Sequence, residues 1–185
     1  MNGDPTETTA AAPEDVATPA EAPEASPQDA PAETPAEAPA PSAEPVQLKL
    51  RGLHHVTAIC SNLDRTVSFY RDLLGMTLIK RTENEDDPGA RHFYFGDSEA
   101  TPGSIVTFME YPNMEQGAIG VGVVHHFALR AGSLDELSAW HQHLNQHGVQ
   151  ATEPINRTYY SSIYFRDPDG NIVEIATDGP GIVVE

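Results

Sequence analysis

Several kinds of residue are scarce in this chain of 185 residues, and each scarcity argues against a class of protein. A single cysteine, Cys60, excludes an internal disulfide and suits a reducing cytoplasm. Only 10 Lys and Arg stand against 28 Asp and Glu, and the net charge of −18 argues against binding nucleic acid or an anionic membrane. No signal peptide and no membrane-spanning run is recognisable, so the sequence predicts a cytoplasmic protein.

The first quarter of the chain has too little apolar and aromatic content to fold. Residues 1–46 hold ten Pro, thirteen Ala and ten acidic residues, with no Lys, Arg, Phe, Tyr or Trp. Such a composition cannot bury enough apolar surface to offset the entropy of ordering the chain. We expect residues 1–48 to form a disordered acidic tail. A solubilising role is favoured for it over recruitment of a partner.

The rest of the chain repeats itself. The run LHHVTAICSNLDRTVSFYRDLLGM resembles VHHFALRAGSLDELSAWHQHLNQHGV at a shift of 71 residues. Farther on, HFYFGD at 92–97 resembles SIYFRD at 162–167, and GSIVTF at 103–108 resembles GNIVEI at 170–175. A shift that drifts from 71 to 67 is what loop insertions and deletions produce. We therefore predict two modules, at about 50–115 and 120–181.

Each module has the same predicted order of elements, βαβββ, which makes an α+β fold. In the first, strands are expected at 53–60, 76–82, 91–96 and 104–110, with a helix starting near Asn62. In the second, strands are expected at 122–130, 149–153, 159–166 and 171–176, with a helix capped by Ser133 and Glu136. Two such modules are expected to pair and curl their sheets around a shared cleft.

The repeated histidines are candidate functional residues of that cleft. The pairs His54-His55 and His125-His126 fall at equivalent places in the two modules. Strand alternation points one ring of each pair into the cleft, and Glu174 is expected on the same face, where an unpaired acid is costly to bury. Two imidazoles and one carboxylate are the donor set of non-haem Fe(II) sites. The residue equivalent to Glu174 in the first module is Thr107, which is not a competitive metal ligand.

These motifs resemble the vicinal-oxygen-chelate superfamily, which contains glyoxalase I, fosfomycin and bleomycin resistance proteins and extradiol dioxygenases. The resemblance covers residues 52–181 and is strongest to ring-cleaving dioxygenases that act on hydroquinones. The runs that carry it are LHHVTAI (53–59), DDPGARHFYFGD (86–97), TPGSIVTF (101–108), VHHFAL (124–129) and RTYYSSIYFRDPDGNIVEIATDGPG (157–181). It implies a single vicinal-oxygen-chelate domain at 49–181, formed by the paired modules.

The resemblance also implies roles for individual residues. His55, His126 and Glu174 would bind Fe(II), with Mn(II) possible, and catalytic roles would fall to His54, Thr57, His125, Arg157 and Tyr164. The expected reaction is ring cleavage of a hydroquinone or catechol by O2. Relatives of the hydroquinone type have four modules in one chain, and this chain has two. Either one domain holds a whole site, or a homodimer, with or without exchanged modules, supplies the missing pair.

Two alternatives stay open at this point. A glyoxalase-like lyase or metal-dependent transferase also polarises substrate oxygens at a metal, although the lyases resemble a four-ligand pattern that Thr107 does not fit. A drug-binding protein of the same fold would need no metal, and the retention of all three ligands argues against it. His92, His141, His143 and His147 are more simply read as loop or helix-surface residues.

Overall fold

A computed structural model describes residues 48–183. The tail predicted at 1–48 lies outside the described residues, apart from Leu48. The two predicted modules are present, and they confirm the α+β class with paired βαβββ units. The first module contains β1 His55–Cys60, α1 Leu63–Val67 with a π-helical continuation Ser68–Leu73, β2 Thr77–Glu83, β3 Arg91–Gly96 and β4 Ile105–Glu110. The second contains β5 Phe127–Ala131, α2 Leu134–Gln146, β6 Ile155–Asn156, β7 Ser161–Arg166 and β8 Ile172–Thr177.

Each module forms its own four-stranded sheet, and the two sheets have the same strand order. In the first sheet the order is β1-β4-β3-β2, and in the second it is β5-β8-β7-β6. Residue pairing repeats as well, since Thr107 lies opposite Tyr94 just as Glu174 lies opposite Tyr164. The duplication read from the sequence is therefore present in the strand register. It also leaves β1 and β5 as edge strands of their sheets.

Side-chain caps fix where both helices begin. Asn62 Oδ1 accepts a hydrogen bond from Arg65 N at 2.9 Å, and Ser133 Oγ accepts one from Glu136 N at 3.2 Å. The Glu136 carboxylate completes the second cap through Gly132 N at 2.7 Å. These contacts satisfy amide groups that have no partner within the helix. Both predicted helix starts are confirmed.

The strand predicted at 149–153 is wrong. The structure has a two-residue strand at Ile155–Asn156 instead. Val149 N still belongs to the end of α2, because it bonds to Leu144 O at 2.9 Å. Thr152 attaches the loop to β7 through two hydrogen bonds with Tyr164, one from its backbone amide and one to its hydroxyl. This segment therefore contacts β7, but it does not form a regular strand.

One hydrophobic core joins the two modules, and it lies on the helix-bearing face of both sheets. It contains Val106 and Phe108 of β4 together with Val173 and Ile175 of β8. Tyr70, fully buried on the helical segment of the first module, stacks near Phe127 of the second, with ring centroids 6.4 Å apart. The modules of one chain thus pack through their helical sides.

This packing corrects the expected cleft. Successive strand residues point to opposite faces, so Thr107 lies on the face of β4 away from Val106 and Phe108. Glu174 likewise lies on the face of β8 away from Val173 and Ile175. The faces that carry the predicted site residues are separated by the core rather than curled around a common cleft. Within residues 48–183, no helix is long and apolar enough to cross a membrane.

Candidate metal centre

The second module gathers three of the predicted residues around a fourth, the buried carboxylate of Glu174. Glu174 on β8 is only 2% exposed, although the face it lies on is largely open. Its Oε1 accepts a hydrogen bond from the Tyr164 hydroxyl at 2.7 Å, and its Oε2 lies 2.9 Å from His126 Nε2. The Arg157 guanidinium lies over the Tyr164 ring, 5.5 Å from its centroid. A buried carboxylate with imidazole and phenol on its two oxygens is a donor group suited to a cation.

The paired histidines have an arrangement that sequence alternation did not predict. His54 Nδ1 lies 3.0 Å from His55 Nδ1, and His125 Nδ1 lies 2.9 Å from His126 Nδ1. Because β1 begins at His55 and β5 only at Phe127, His54 and the second pair precede their strands, where alternation does not apply. Each contact engages Nδ1 of the predicted ligand, which leaves Nε2 for a metal.

The first module has a hydroxyl chain where the second has its carboxylate. Thr107 Oγ1 donates to Thr57 Oγ1 at 2.9 Å and lies 2.8 Å from His92 Nε2. The Tyr94 hydroxyl lies 3.3 Å from His92 Nδ1. Burial lowers the pKa of His92, and the nearby His55 and Lys80 lower it further. His92, expected to be a loop residue, is instead a buried strand residue that ties the first sheet together.

The structure does not bring His55 to the other two predicted ligands. His126 and Glu174 are in contact, whereas His55 lies on the exposed face of the first sheet beside Thr57. Among residues 48–183, no group of three His, Cys, Asp or Glu side chains is placed to hold a metal ion. One chain therefore presents two partial donor sets, a His-Glu pair on one sheet and a single His on the other.

An open groove of about 480 Å³ runs over His126 and Glu174. Its walls come only from the second module and the segment that follows it, and they include Tyr159, Tyr160 and Ile182. These three residues were not predicted from the sequence, because nothing in their pattern distinguishes a groove wall from a core. A larger groove of about 800 Å³ lies between Phe69 and the 148–152 loop, and none of the three predicted ligands lines it.

Residues 52–175 match the family model described as the Glyoxalase/Bleomycin resistance protein/Dioxygenase superfamily. The chain belongs to this superfamily. Similar proteins include "Putative ring-cleaving dioxygenase MhqE" of Bacillus subtilis (strain 168), 40% identical over 108 residues, which are 57% of this chain and 35% of that protein. Another is the "Chlorohydroquinone/hydroquinone 1,2-dioxygenase" of Sphingobium indicum, 30% identical over 141 residues, 71% of this chain and 42% of that protein.

A solved structure supports the same relationship. The crystal structure of a "putative dioxygenase" from Bacillus subtilis superposes with a TM-score of 0.64 at 36% identity, over 68% of this chain and 40% of that one. The family resemblance drawn from the sequence motifs is confirmed. The chain spans less than half the length of these three proteins.

Proposed function

We propose that this chain is a non-haem Fe(II)-dependent dioxygenase that cleaves the ring of a hydroquinone or catechol with O2. The observation that carries the proposal is the buried Glu174 carboxylate held between His126 and Tyr164 beneath an open groove. The names of the similar ring-cleaving and hydroquinone dioxygenases support the reaction class.

The donors fit a single divalent metal. His55 and His126 would each offer Nε2, and Glu174 would offer Oε2 in place of its present contact with His126. When bound, Fe(II) would supply open positions for a phenolate oxygen and O2 and a path for electrons between them. Mn(II) suits the same donors. Thr107 adds no fourth ligand, because its hydroxyl is committed to Thr57 and His92.

Residues next to the proposed ligands would orient them and transfer protons. His54 and His125 fix the ring orientation of His55 and His126 through the Nδ1 contacts. The Tyr164 hydroxyl, 2.7 Å from Glu174 Oε1, is placed to give or take a proton at the edge of the groove. On the first sheet, the Thr57 hydroxyl accepts a hydrogen bond from Thr107, and we assign Thr57 a supporting role at His55.

The groove has the chemistry expected for a phenol. Tyr159, Tyr160 and Ile182 provide an apolar wall against which an aromatic ring can pack. Arg157 places a positive charge beside Tyr164, where it can stabilise negative charge that develops on the substrate oxygens. Cleavage of the carbon–carbon bond beside a hydroxylated carbon then inserts both atoms of O2. The product is an open-chain semialdehyde acid, and no external reductant is consumed.

Oxygen uptake by the full chain, loaded anaerobically with Fe(II), tests the proposal. We expect uptake with at least one member of a panel of hydroquinones and catechols, at one O2 for each ring opened. Glu174→Ala should abolish it, whereas His147→Ala, which removes an exposed histidine of the α2 end, should not. No uptake across the panel by metal-loaded protein would exclude this function and return the choice to a lyase or transferase.

A further inference from the structure

The outer face of the first sheet carries an unbroken chain of hydrogen bonds that crosses three strands. The Tyr94 hydroxyl lies 3.3 Å from His92 Nδ1 on β3, and His92 Nε2 lies 2.8 Å from Thr107 Oγ1 on β4. Thr107 in turn donates to Thr57 Oγ1 on β1 at 2.9 Å. Thr107 is paired with Thr57 on one side and with Tyr94 on the other, so the strand register holds these groups in line.

The hydrogens along this chain point in one direction. Thr107 has a single hydroxyl proton and gives it to Thr57, so it must accept the ring proton of His92 Nε2. A neutral imidazole protonated on Nε2 has a free electron pair on Nδ1, which accepts from the Tyr94 hydroxyl. Burial is the largest cause that lowers the pKa of His92, and it favours this neutral ring. The chain therefore runs from Tyr94 to Thr57, whose own proton has no acceptor among residues 48–183.

The middle of the chain is buried and both of its ends are open. His92 is only 8% exposed, and Thr107 is fully buried. Tyr94 is half-buried, and Thr57 is exposed on the same face of β1 as His55. Groups that each donate and accept can pass protons along such a line, and histidine is the residue that most often serves as a shuttle. Contacts that only held the sheet together would not need an open hydroxyl at each end.

The second module has the same strands but lacks this chain. The repeat gives it Ala128 at the position of Thr57 and Ser162 at the position of His92. Ala128 carries no exchangeable side-chain proton. Ser162 Oγ is buried and has no hydrogen-bond partner within the described part of the protein. The chain is therefore a property of the first module and not a general requirement of the sheet.

We propose that the first module carries a proton relay, which connects solvent to a substrate bound beside His55 and consists of Tyr94, His92, Thr107 and Thr57. In its resting direction the relay delivers one proton. Thr57 gives its hydroxyl proton to a substrate oxygen, each group behind it passes one proton forward, and Tyr94 takes a replacement from solvent. No group in the relay changes its charge.

Delivery of a proton reverses the relay. The His92 ring then carries its proton on Nδ1, and the hydroxyl protons of Thr107 and Thr57 point back toward it. The next transfer along the relay returns a proton from the substrate to solvent and restores the first direction. This deepens the proposed function and rests on it, because that reaction supplies the phenolic oxygens that gain and lose the proton.

The ring of His92 allows a test of the relay without metal or substrate. Nitrogen-15 NMR of the unloaded full chain shows which ring nitrogen carries the proton, and the His92→Gln spectrum identifies the His92 signals by their absence. We expect a neutral ring with its proton on Nε2. A charged ring, or a neutral ring protonated on Nδ1, would overturn the relay.

Blocking both ends of the relay should trap that ring proton. Tyr94→Phe removes the hydroxyl at the solvent end, and Thr57→Val replaces the hydroxyl at the other end with a methyl group. In the double variant, exchange of the ring proton with water should slow by at least about 10-fold, because exchange then requires local opening of the fold. Tyr111→Phe, which removes another hydroxyl of the first module, should leave the rate unchanged. A wild-type rate in the double variant would overturn the relay.

Glutamine at position 92 separates proton transfer from positioning. Its amide can still donate to Thr107, but it cannot take a proton on one side and release one on the other. In the Fe(II)-loaded full chain, His92→Gln should lower kcat for oxygen uptake by at least about 10-fold, since a positioned proton donor contributes about 10²- to 10⁴-fold. KM and the iron content should stay close to those of the wild type. An unchanged kcat would overturn the relay.

These outcomes separate the relay from the proposed function. Oxygen uptake by the wild type, together with ring-proton exchange that does not depend on the two ends, would overturn the relay and leave the dioxygenase standing. The expected ring protonation and end-dependent exchange, in a protein that takes up no oxygen with any hydroquinone or catechol of the panel, would support the relay and exclude the dioxygenase.

Discussion

The Tyr164 hydroxyl donates to Glu174 Oε1 from the neighbouring strand, directly across the β7–β8 register. The same register position in the first module pairs Tyr94 with Thr107, but there the phenol reaches His92 instead. Two tyrosines at equivalent positions therefore have different partners. Only one of them contacts a proposed metal ligand.

Removal of the Tyr164 hydroxyl should weaken metal binding. In Tyr164→Phe, Glu174 loses the donor that orients it, and loss of such a partner typically lowers metal affinity by about 10- to 100-fold. Competition with a metal-binding dye measures the change. Tyr94→Phe is the matched control and should leave the affinity within about twofold. Equal loss in both variants would contradict a specific role for Tyr164.

Metal should stabilise the folded chain. A ligand that binds only the folded state, present at about 100 times its Kd, adds about 2.7 kcal/mol to the free energy of unfolding. For a domain of this size that corresponds to a rise in Tm of roughly 10 °C, reversible by a chelator. Differential scanning fluorimetry with Mn(II) measures it. Glu174→Ala should remove the shift, and a shift of the same size in that variant would place the metal elsewhere.

The sequence was sufficient to predict the strands of each sheet except β6, which it misplaced. The repeat aligned Thr107 with Glu174, and the register shows them at the same strand position. Helix starts followed from the capping residues Asn62 and Ser133, since a cap depends only on neighbouring residues. These features are local, so a short stretch of sequence is enough to specify them.

The packing of the two sheets against each other could not be predicted from short stretches of sequence. Alternation groups Val106 with Phe108 and separates them from Thr107, but all three are buried. The pattern therefore leaves open which face meets the other module. That choice depends on contacts distant in sequence, such as Tyr70 with Asp167. The setting of Glu110 also depends on residues distant in sequence, because its carboxylate accepts hydrogen bonds from Arg91 and from Leu63 N.

Loss of the Tyr70 hydroxyl should weaken the contact between the two modules and lower the stability of the fold. It donates to Asp167 Oδ2 at 2.9 Å, and both side chains are buried. A buried hydrogen bond to a charged group contributes about 2 kcal/mol, so Tyr70→Phe should lower the free energy of unfolding by about that amount. Urea denaturation measures it. Tyr111→Phe removes a hydroxyl that accepts only from the Asn84 amide, and it should cost under about 1 kcal/mol. An unchanged midpoint for Tyr70→Phe would contradict the role of this bond.

Acid should weaken the first module through Glu110. Hydrogen bonds from Arg91 hold the pKa of Glu110 below its usual value, and the Leu63 amide adds to this effect. Because the folded pKa is lowered, the stabilisation is complete above the ordinary Glu pKa of about 4.3 and is lost as the pH falls through the lower folded value. Glu110→Gln should cost about 1 kcal/mol at neutral pH, since Arg91 is partly exposed.

The measurement is the free energy of unfolding in urea from pH 7 to pH 3. The difference between wild type and Glu110→Gln should shrink at the acid end, where the wild-type carboxylate becomes protonated. Glu115→Gln, at an exposed position, serves as the control. A difference that stays constant across the range would show that the ion pair does not carry the acid sensitivity.

The position of the core behind both sheets has a consequence for how this scaffold can change. Five residues on the two outer faces are buried (His92, Gly96, Thr107, Ser162 and Glu174), and most of the others are partly or fully open; the contacts that hold the modules together lie on the other side. Substitutions on one outer face therefore cost little stability and leave the other face untouched. A duplicated chain built in this way can change the residues of one outer face without disturbing the packing of the other. Glu174 on one and the Thr57–Thr107–His92 chain on the other are two such outcomes from one ancestral module.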